Sequence, residues 1–187
     1  MGTKAMIAMS GGVDSSVAAY LTQQEGFSCV GATMRLLPGQ EPSIDDAKAV
    51  AQRLDMPFYL LDLADDFRKE VMEHFTASYE AGLTPNPCVV CNRRLKFGVL
   101  LEAALVMGCQ YVVTGHYARI EEKEGRFLLK KATHTEKDQS YFLYALNQRQ
   151  MAHIRFPLGT LTKEQARQVA ERQGFLNAGK RDSQDIC

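Results

Sequence analysis

No apolar run in the 187 residues approaches the roughly 20 that a membrane helix needs, and the N-terminus carries no long apolar leader ending in small residues. A cytoplasmic protein with no membrane partner is expected. Net charge is also missing, with 22 Lys and Arg against 22 Asp and Glu, which argues against strong nonspecific attraction to a polyanion. Cysteine is scarce and odd in number: Cys29, Cys88, Cys91, Cys109 and Cys187. A chain long enough to bury a core needs no disulfide framework, so these thiols are expected to pack, bind metal or react. There is no internal repeat and no low-complexity segment, and one compact domain is the default at this length.

The neutral total conceals a gradient. Residues 1–82 hold 12 acids and 6 bases, which leaves 10 acids and 16 bases for residues 83–187. The second half is the side suited to face phosphates, although an ordinary solvated surface would give the same count.

Short apolar runs alternate with helical patterns. "KAMIAMS", "SCVGATMRLL", "PFYLLDLA" and "QYVVTGH" read as strands. Between them, "SSVAAYLTQQEG" reads as a helix stopped by Gly26. "SIDDAKAVAQRLD" reads as a helix opened by a capping box of Ser43 and Asp46, with Ile44, Ala47, Val50, Ala51 and Leu54 on one face. "DDFRKEVMEHFTASYEAG" carries Phe67, Val71, Phe75 and Tyr79 near one stripe and stops at Gly82, and "LKFGVLLEAALVMG" is a further helix. "ARIEEKEGRFLLKKA" reads as a hairpin turning at Gly125, and "LTKEQARQVAERQG" as a helix capped by Thr162 and Gln165. This order predicts an α/β fold: a doubly wound parallel sheet with a small hairpin and a helical C-terminal extension, divided at about residues 1–145 and 146–187. Ligands of such sheets bind at the carboxyl ends of the strands, where "MSGGVDSS" and "TGH" both fall.

"MSGGVDSS", residues 9–16, has the composition of a phosphate cradle. Gly11 and Gly12 let backbone N–H groups converge, serine hydroxyls add donors, and the next helix points its positive end at the same place. The Gly-Lys-Ser/Thr ending of a P-loop is absent, so this is a different phosphate loop. Asp14 would repel a bare phosphate, which suggests either a magnesium ion between carboxylate and phosphates or a role in orienting the loop.

"TPNPCVVCNRRLKFG", residues 84–98, places two prolines and two cysteines before an arginine pair. The prolines favour an extended loop that presents the cysteines. Arg93, Arg94 and a helix start would favour the thiolate. Half of a structural zinc site is the alternative, but no second Cys-x-x-Cys or Cys/His pair completes four ligands. Cys29 and Cys109 lie in or beside apolar runs and read as core. His116 at the end of "TGH" suits a structural role or a phosphate donor equally, while His74 and His153 read as surface.

The S-G-G-x-D-S string between strand and helix resembles that of the PP-loop ATP pyrophosphatases, whose members split ATP between its α and β phosphates and leave AMP on a substrate oxygen. The ordered set "TPNPCVVCNRRLKF", "TGHYAR", "KDQSYFLY" and "KRDSQDIC" resembles the tRNA-specific 2-thiouridylase family over essentially the whole chain. That resemblance implies an adenine nucleotide alpha hydrolase-like fold and ATP-dependent 2-thiolation of the wobble uridine of tRNA. Ala8, Met9, Ser10, Gly11, Gly12, Val13, Asp14, Ser15 and Gly115 would bind ATP, with Met34 beside the adenosine. Cys91 would be the nucleophile and Cys187 the carrier of persulfide sulfur. Asn86, Pro87 and Cys88 would lie at the target base, and Lys137, Asp138 and Gln139 would contact tRNA. Partners would be tRNA and a sulfur donor protein, either a desulfurase or a relay carrier.

Two departures from the family pattern bear on the chemistry. Many thiouridylases have aspartate where this chain has Cys88. The change removes a candidate base and gives Cys88, Cys91 and Cys187 as three thiolates able to hold an iron-sulfur cluster with one open iron. Family members also continue past "SQDIC" into further domains that help hold tRNA, whereas this sequence stops there. Other readings are an amide-forming adenylating enzyme of the same superfamily and a nucleotide- or metal-binding module without turnover.

Overall fold

A computed structural model describes residues 2–180. Five parallel strands form one sheet in the order β3-β2-β1-β4-β7: β1 is Lys4–Ala8, β2 Ser28–Arg35, β3 Phe58–Asp62, β4 Tyr111–Val113 and β7 Ile154–Arg155. The central strand β1 has Ala5, Met6 and Ile7 all at 0% exposure, so it is covered on both faces and reads as a continuous apolar run. Successive residues along it feed opposite cores. Ala5 and Ile7 face α1 (Val13–Gln24), α2 (Glu41–Arg53) and the closing helix Lys163–Arg172. Met6, with Val30 and Val112, faces Phe97, Leu100, Leu101 and Ala104 of the helix over residues 87–106. The predicted doubly wound α/β class is the observed one.

The order reverses at β1, where β2 and β3 are laid to one side and β4 and β7 to the other. That switch point opens a crevice between the loops leaving β1 and β4, which are "MSGG" and "TGH". The hairpin of β5 (Ala118–Lys123) and β6 (Arg126–Lys131) turns at Glu124 and Gly125, both at positive φ, as a two-residue hairpin loop of the primed type demands.

Across the expected boundary at residue 145 the core is continuous. β7 completes the sheet beside β4, and Ala166 and Ala170 of the closing helix are fully buried against the α1 side. The capping box of that helix forms as read, with Thr162 Oγ1 accepting from Gln165 N and Gln165 Oε1 accepting from Thr162 N.

Three local expectations are corrected. α2 begins at Glu41 with Gln40 as N-cap instead of Ser43, because Pro42 suits the first turn and Asp46 is engaged by Lys180 Nζ at 2.9 Å. The cysteine segment is not an extended loop. Asn86 caps a helix start by accepting from Cys88 N at 3.0 Å, and Pro87, whose missing N–H costs nothing there, is its first residue. The stripe on the helix over residues 64–80 is only half used: Phe67 and Val71 are buried, but Tyr79 is 55% exposed. Among the described residues no helix is long and apolar enough to cross a membrane.

Candidate active site

A cleft of about 190 Å³ lies at the switch point. Its floor is Ala8, Met9, Ser10, Asp14 and Ser15 from the β1 loop, Ala32 and Met34 from β2, and Thr114, Gly115 and His116 from the β4 loop. Lys96 and Gln139 close its sides. Seven of the expected nucleotide residues therefore line one cavity. The other three serve it indirectly: Gly11 and Gly12 turn the chain, and Val13 is buried in the core.

Two glycines are required by space. Gly11 sits at φ +72°, and a Cβ there would lie 2.2 Å from the Ser43 carbonyl oxygen of α2. A Cβ on Gly115 would lie 2.7 Å from the Asp14 carbonyl carbon and 2.8 Å from Ser15 N, so the β4 loop touches the phosphate loop backbone to backbone. The α1 N-terminus behind them has no side-chain cap, which leaves its first N–H groups for an anion at the cleft. Ser15 Oγ donates to Gly12 O at 3.0 Å and accepts from Ser10 Oγ at 3.3 Å, bracing the loop from within.

Asp14 is not left facing a phosphate. Lys163 Nζ, the first residue of the closing helix, lies 2.8 Å from both carboxylate oxygens, and Tyr117 Oη donates to Oδ1 at 2.9 Å. The oxygens expected to meet magnesium are thus occupied by an ammonium and a phenol. No group of three or more His, Cys, Asp or Glu side chains suited to a metal occurs among the described residues. As arranged, the donor set fits a lysine-paired orienting carboxylate and not a magnesium ion. From the same closing segment, Asn177 is 4% exposed and donates from Nδ2 to Gly11 O at 3.0 Å and to Ser16 Oγ at 2.9 Å. The chain's last described residues thereby hold the first motif.

His116 is half-buried, with Nδ1 2.6 Å from Thr114 Oγ1. Burial, with Lys96 second, holds its pKa well below the ordinary imidazole value, so it meets a ligand as a neutral ring.

The thiols divide as their sequence context implied. Cys29 and Cys109 are 7% and 2% exposed. Burial first, then Cys109, pushes the Cys29 thiol up to about 11, and burial raises Cys109 as well, so neither is a nucleophile at neutral pH. Cys88 and Cys91 are half-buried on the first turn of the helix over residues 87–106, three apart and hence on one face. Cys91 packs against the cluster of Leu36, Leu63, Phe67, Val71 and Leu95. The same helix carries Lys96 into the cleft just over one turn later. Cys187 lies outside the described residues.

In the remaining motif, Gln139 lines the cleft and exchanges two bonds with Tyr117, N to O at 2.8 Å and Oε1 from Tyr117 N at 3.0 Å. Asp138 accepts from Ala132 N at 2.8 Å and Ser140 Oγ at 2.7 Å, so both its oxygens hold the loop. Lys137 is exposed. Sequence reasoning missed Lys163, Asn177 and Tyr117 as parts of the loop's support and Lys96 as a lining residue. Lys96 stood inside a quoted motif, whereas Lys163 and Asn177 have no local signal because only the fold brings them to Asp14 and Gly11.

Known proteins with related sequences and folds agree with this architecture. The tRNA-specific 2-thiouridylase MnmA of Moorella thermoacetica is 46% identical over 97% of this chain and 55% of its own. The chain thus spans about half the length of the curated relatives it matches. Among solved structures, the U34-tRNA thiolase NcsA from Methanococcus maripaludis with its 4Fe-4S cluster superposes with a TM-score of 0.65 at 15% identity, covering 100% of this chain and 62% of that one. A 4-thiouridine synthetase in complex with RNA and bound ATP gives 0.63 at 17%, covering 99% of this chain and 44% of that one. At such identities the likeness establishes the fold alone. A family model described as the tRNA methyl transferase HUP domain matches residues 3–187, and the chain belongs to that family.

Proposed function

We propose that this chain is the ATP-dependent catalytic unit of a tRNA 2-thiouridylase, which replaces the C2 oxygen of the wobble uridine with sulfur. One observation carries the reading: the helix whose first turn holds Cys88 and Cys91 brings Lys96 into the cleft of the phosphate loop, beside Ser10 and Ser15, although neither cysteine itself lines that cleft. Methyl transfer, which the family description names, requires neither a phosphate loop nor a pair of thiols at a helix start. The relatives named as thiouridylases support the sulfur reading.

ATP is the co-substrate. Its phosphates lie on the α1 N-terminus and the loop hydroxyls, and Met34 and Ala32 meet the adenosine. At about 190 Å³ the cleft is smaller than a typical ligand pocket of roughly 300–1,000 Å³, so part of the nucleotide stays open to the incoming base. The uracil C2 oxygen attacks the α phosphorus, pyrophosphate leaves, and the oxygen becomes part of an adenylate leaving group. Lys163 keeps the Asp14 charge compensated while the anion is bound. The terminal sulfur of a persulfide on Cys187, loaded by a sulfur donor protein, then attacks C2 and AMP departs. The Cys91 thiolate then attacks the Cys187 sulfur, breaks its bond to the sulfur now on C2, and releases 2-thiouridine, leaving a Cys91–Cys187 disulfide that an external thiol reduces. Asn86, Pro87 and Cys88 lie at the base, and Lys137, Asp138 and Gln139 on the tRNA side.

A second reading is favoured by the shared helical face of Cys88 and Cys91. With Cys187 they would ligate an iron-sulfur cluster, whose open iron would carry the sulfide. Metal analysis after anaerobic purification separates the two: stoichiometric iron lost in Cys88→Ser supports the cluster, and an iron-free protein that thiolates tRNA excludes it. The experiment for the function itself is incubation with ATP, unmodified tRNA and a persulfide donor, followed by nucleoside mass spectrometry. 2-Thiouridine at the wobble position with one AMP and one pyrophosphate per sulfur is expected. ADP as the nucleotide product, or a methylated base, would overturn the proposal.

A further inference from the structure

Two of the most exposed aromatic side chains follow shortly after Gln139, which lines this cleft, and neither the nucleotide chemistry nor the thiol chemistry uses them. Tyr141 and Tyr144 are 63% and 67% exposed, although aromatic surface of this size is ordinarily buried. They belong to the 3₁₀ turn Ser140–Leu143 and its C-cap. In a 3₁₀ turn residues three apart eclipse, which brings both rings to one side, with centroids 6.0 Å apart and planes 40° from each other. Phe142 supports Tyr141 edge-on at 5.6 Å.

The turn is rigidly seated. Leu143 is 1% exposed and Leu146 8%, both in the core beneath it. Gln139, directly before the turn, is tied to Tyr117 and lines the cleft. Asn92, the neighbour of Cys91, donates from Nδ2 to the Phe142 carbonyl at 3.3 Å. The rings are therefore fixed relative to both the nucleotide and the reactive thiol. Residues 87–99 of the helix against which the turn packs and residues 135–139 before the turn carry four cations and two acids, Glu136 and Asp138. Arg93 and Arg94 are exposed on the helix against which the turn packs, Lys96 is half-buried on it, and Lys137 precedes the turn. Arg94 faces Glu70 at 3.8 Å, and Asp138 is committed to Ala132 and Ser140.

Flat aromatic faces among cations are the surface on which unpaired nucleic-acid bases stack while their phosphates are neutralised. We propose that Tyr141 and Tyr144 form a stacking platform for unpaired bases of the RNA substrate next to the target uridine. The inference rests on the tRNA reading above and deepens it. Inserting a base between two rings needs about 7 Å, twice a contact distance of roughly 3.5 Å, so at 6.0 Å a base lies across the outer faces and not between them.

The test uses an anticodon stem-loop with an unmodified wobble uridine and 2-aminopurine beside it, titrated with wild type, Tyr141→Leu/Tyr144→Leu and Tyr141→Phe/Tyr144→Phe. Wild type and the Phe pair should bind alike and quench the probe. The Leu pair should bind about tenfold weaker or worse per stacked base and lose the quench, with the salt slope unchanged because no phosphate contact is removed. Unchanged ATP affinity and melting temperature exclude misfolding as the cause. Equal affinity and quench in the Leu pair overturns the platform and leaves the tRNA reading standing. So does a Leu pair that is impaired only in accepting sulfur from a donor protein, which would make the face a protein dock. A wild type that binds no stem-loop overturns the tRNA reading and the platform together.

Discussion

Asp14 is a single carboxylate in the proposed phosphate loop, and the Lys163 ammonium is bound to it. With Nζ 2.8 Å from both oxygens and both side chains largely covered, the pair is neutral toward an incoming anion. Lys163→Met should leave a carboxylate facing the phosphates and weaken ATP binding by about tenfold or more, since a close charge at partial burial is worth over 1 kcal/mol. Asp14→Asn in the same protein should restore part of the loss, as isothermal titration of the single and double variants would show. His116 gives a pH test. Its folded pKa is depressed, so the unfolded chain binds the extra proton first and stability falls as pH drops below the ordinary value of about 6.5. Melting curves between pH 7.5 and 5 should show a slope of at most about 1.4 kcal/mol per pH unit from this residue. His116→Gln should flatten the curve. The loop's own residues were legible from sequence because composition and order sufficed. Lys163 was not, because its role depends on a contact 149 residues away.

At the level of elements, the helix over residues 87–106 would join the two halves of the proposed chemistry. Its start is set by Asn86 and Pro87, its middle carries Lys96 to the cleft, and Leu95, Phe97, Leu100 and Leu101 fix it in the core. Asn86→Ala removes the cap on Cys88 N and should cost about 1 kcal/mol, with fraying confined to the turn that holds the cysteines. Hydrogen exchange at residues 87–91, compared with residues 100–104, would detect it. Reading this stretch as a loop gave too much weight to its prolines. Pro87 breaks nothing at a first helical position, and a cap followed by proline starts a helix. Apolar periodicity identified the later part of the helix and β1 to β4 but not the two-residue β7, too short to carry a period, whereas the Ser43 capping box failed because Pro42 and Lys180 offered a better arrangement. Gln40 gives a related lesson, since its side chain accepts from Leu36 N and Leu37 N and ends β2 instead of capping α2.

Over the whole molecule, the sheet's reversal at β1 places the glycine-serine loop, a neutral imidazole and the helix whose first turn holds Cys88 and Cys91 at one crevice, and the closing segment returns to lock the loop through Lys163 and Asn177. The fold class and the location of the site followed from the alternation of strands and helices. The bracing by the last helix did not, because residues at opposite ends of the chain meet only in the folded state. In the proposed reaction the loop activates an oxygen and the cysteines deliver the sulfur. Cys91→Ser tests that separation in one assay of radiolabelled ATP with tRNA and a persulfide donor. The variant should still convert up to one ATP per enzyme to AMP and pyrophosphate in the presence of tRNA, while release of 2-thiouridine falls by at least about a thousandfold. Thiolation that persists in Cys91→Ser would contradict that division of roles.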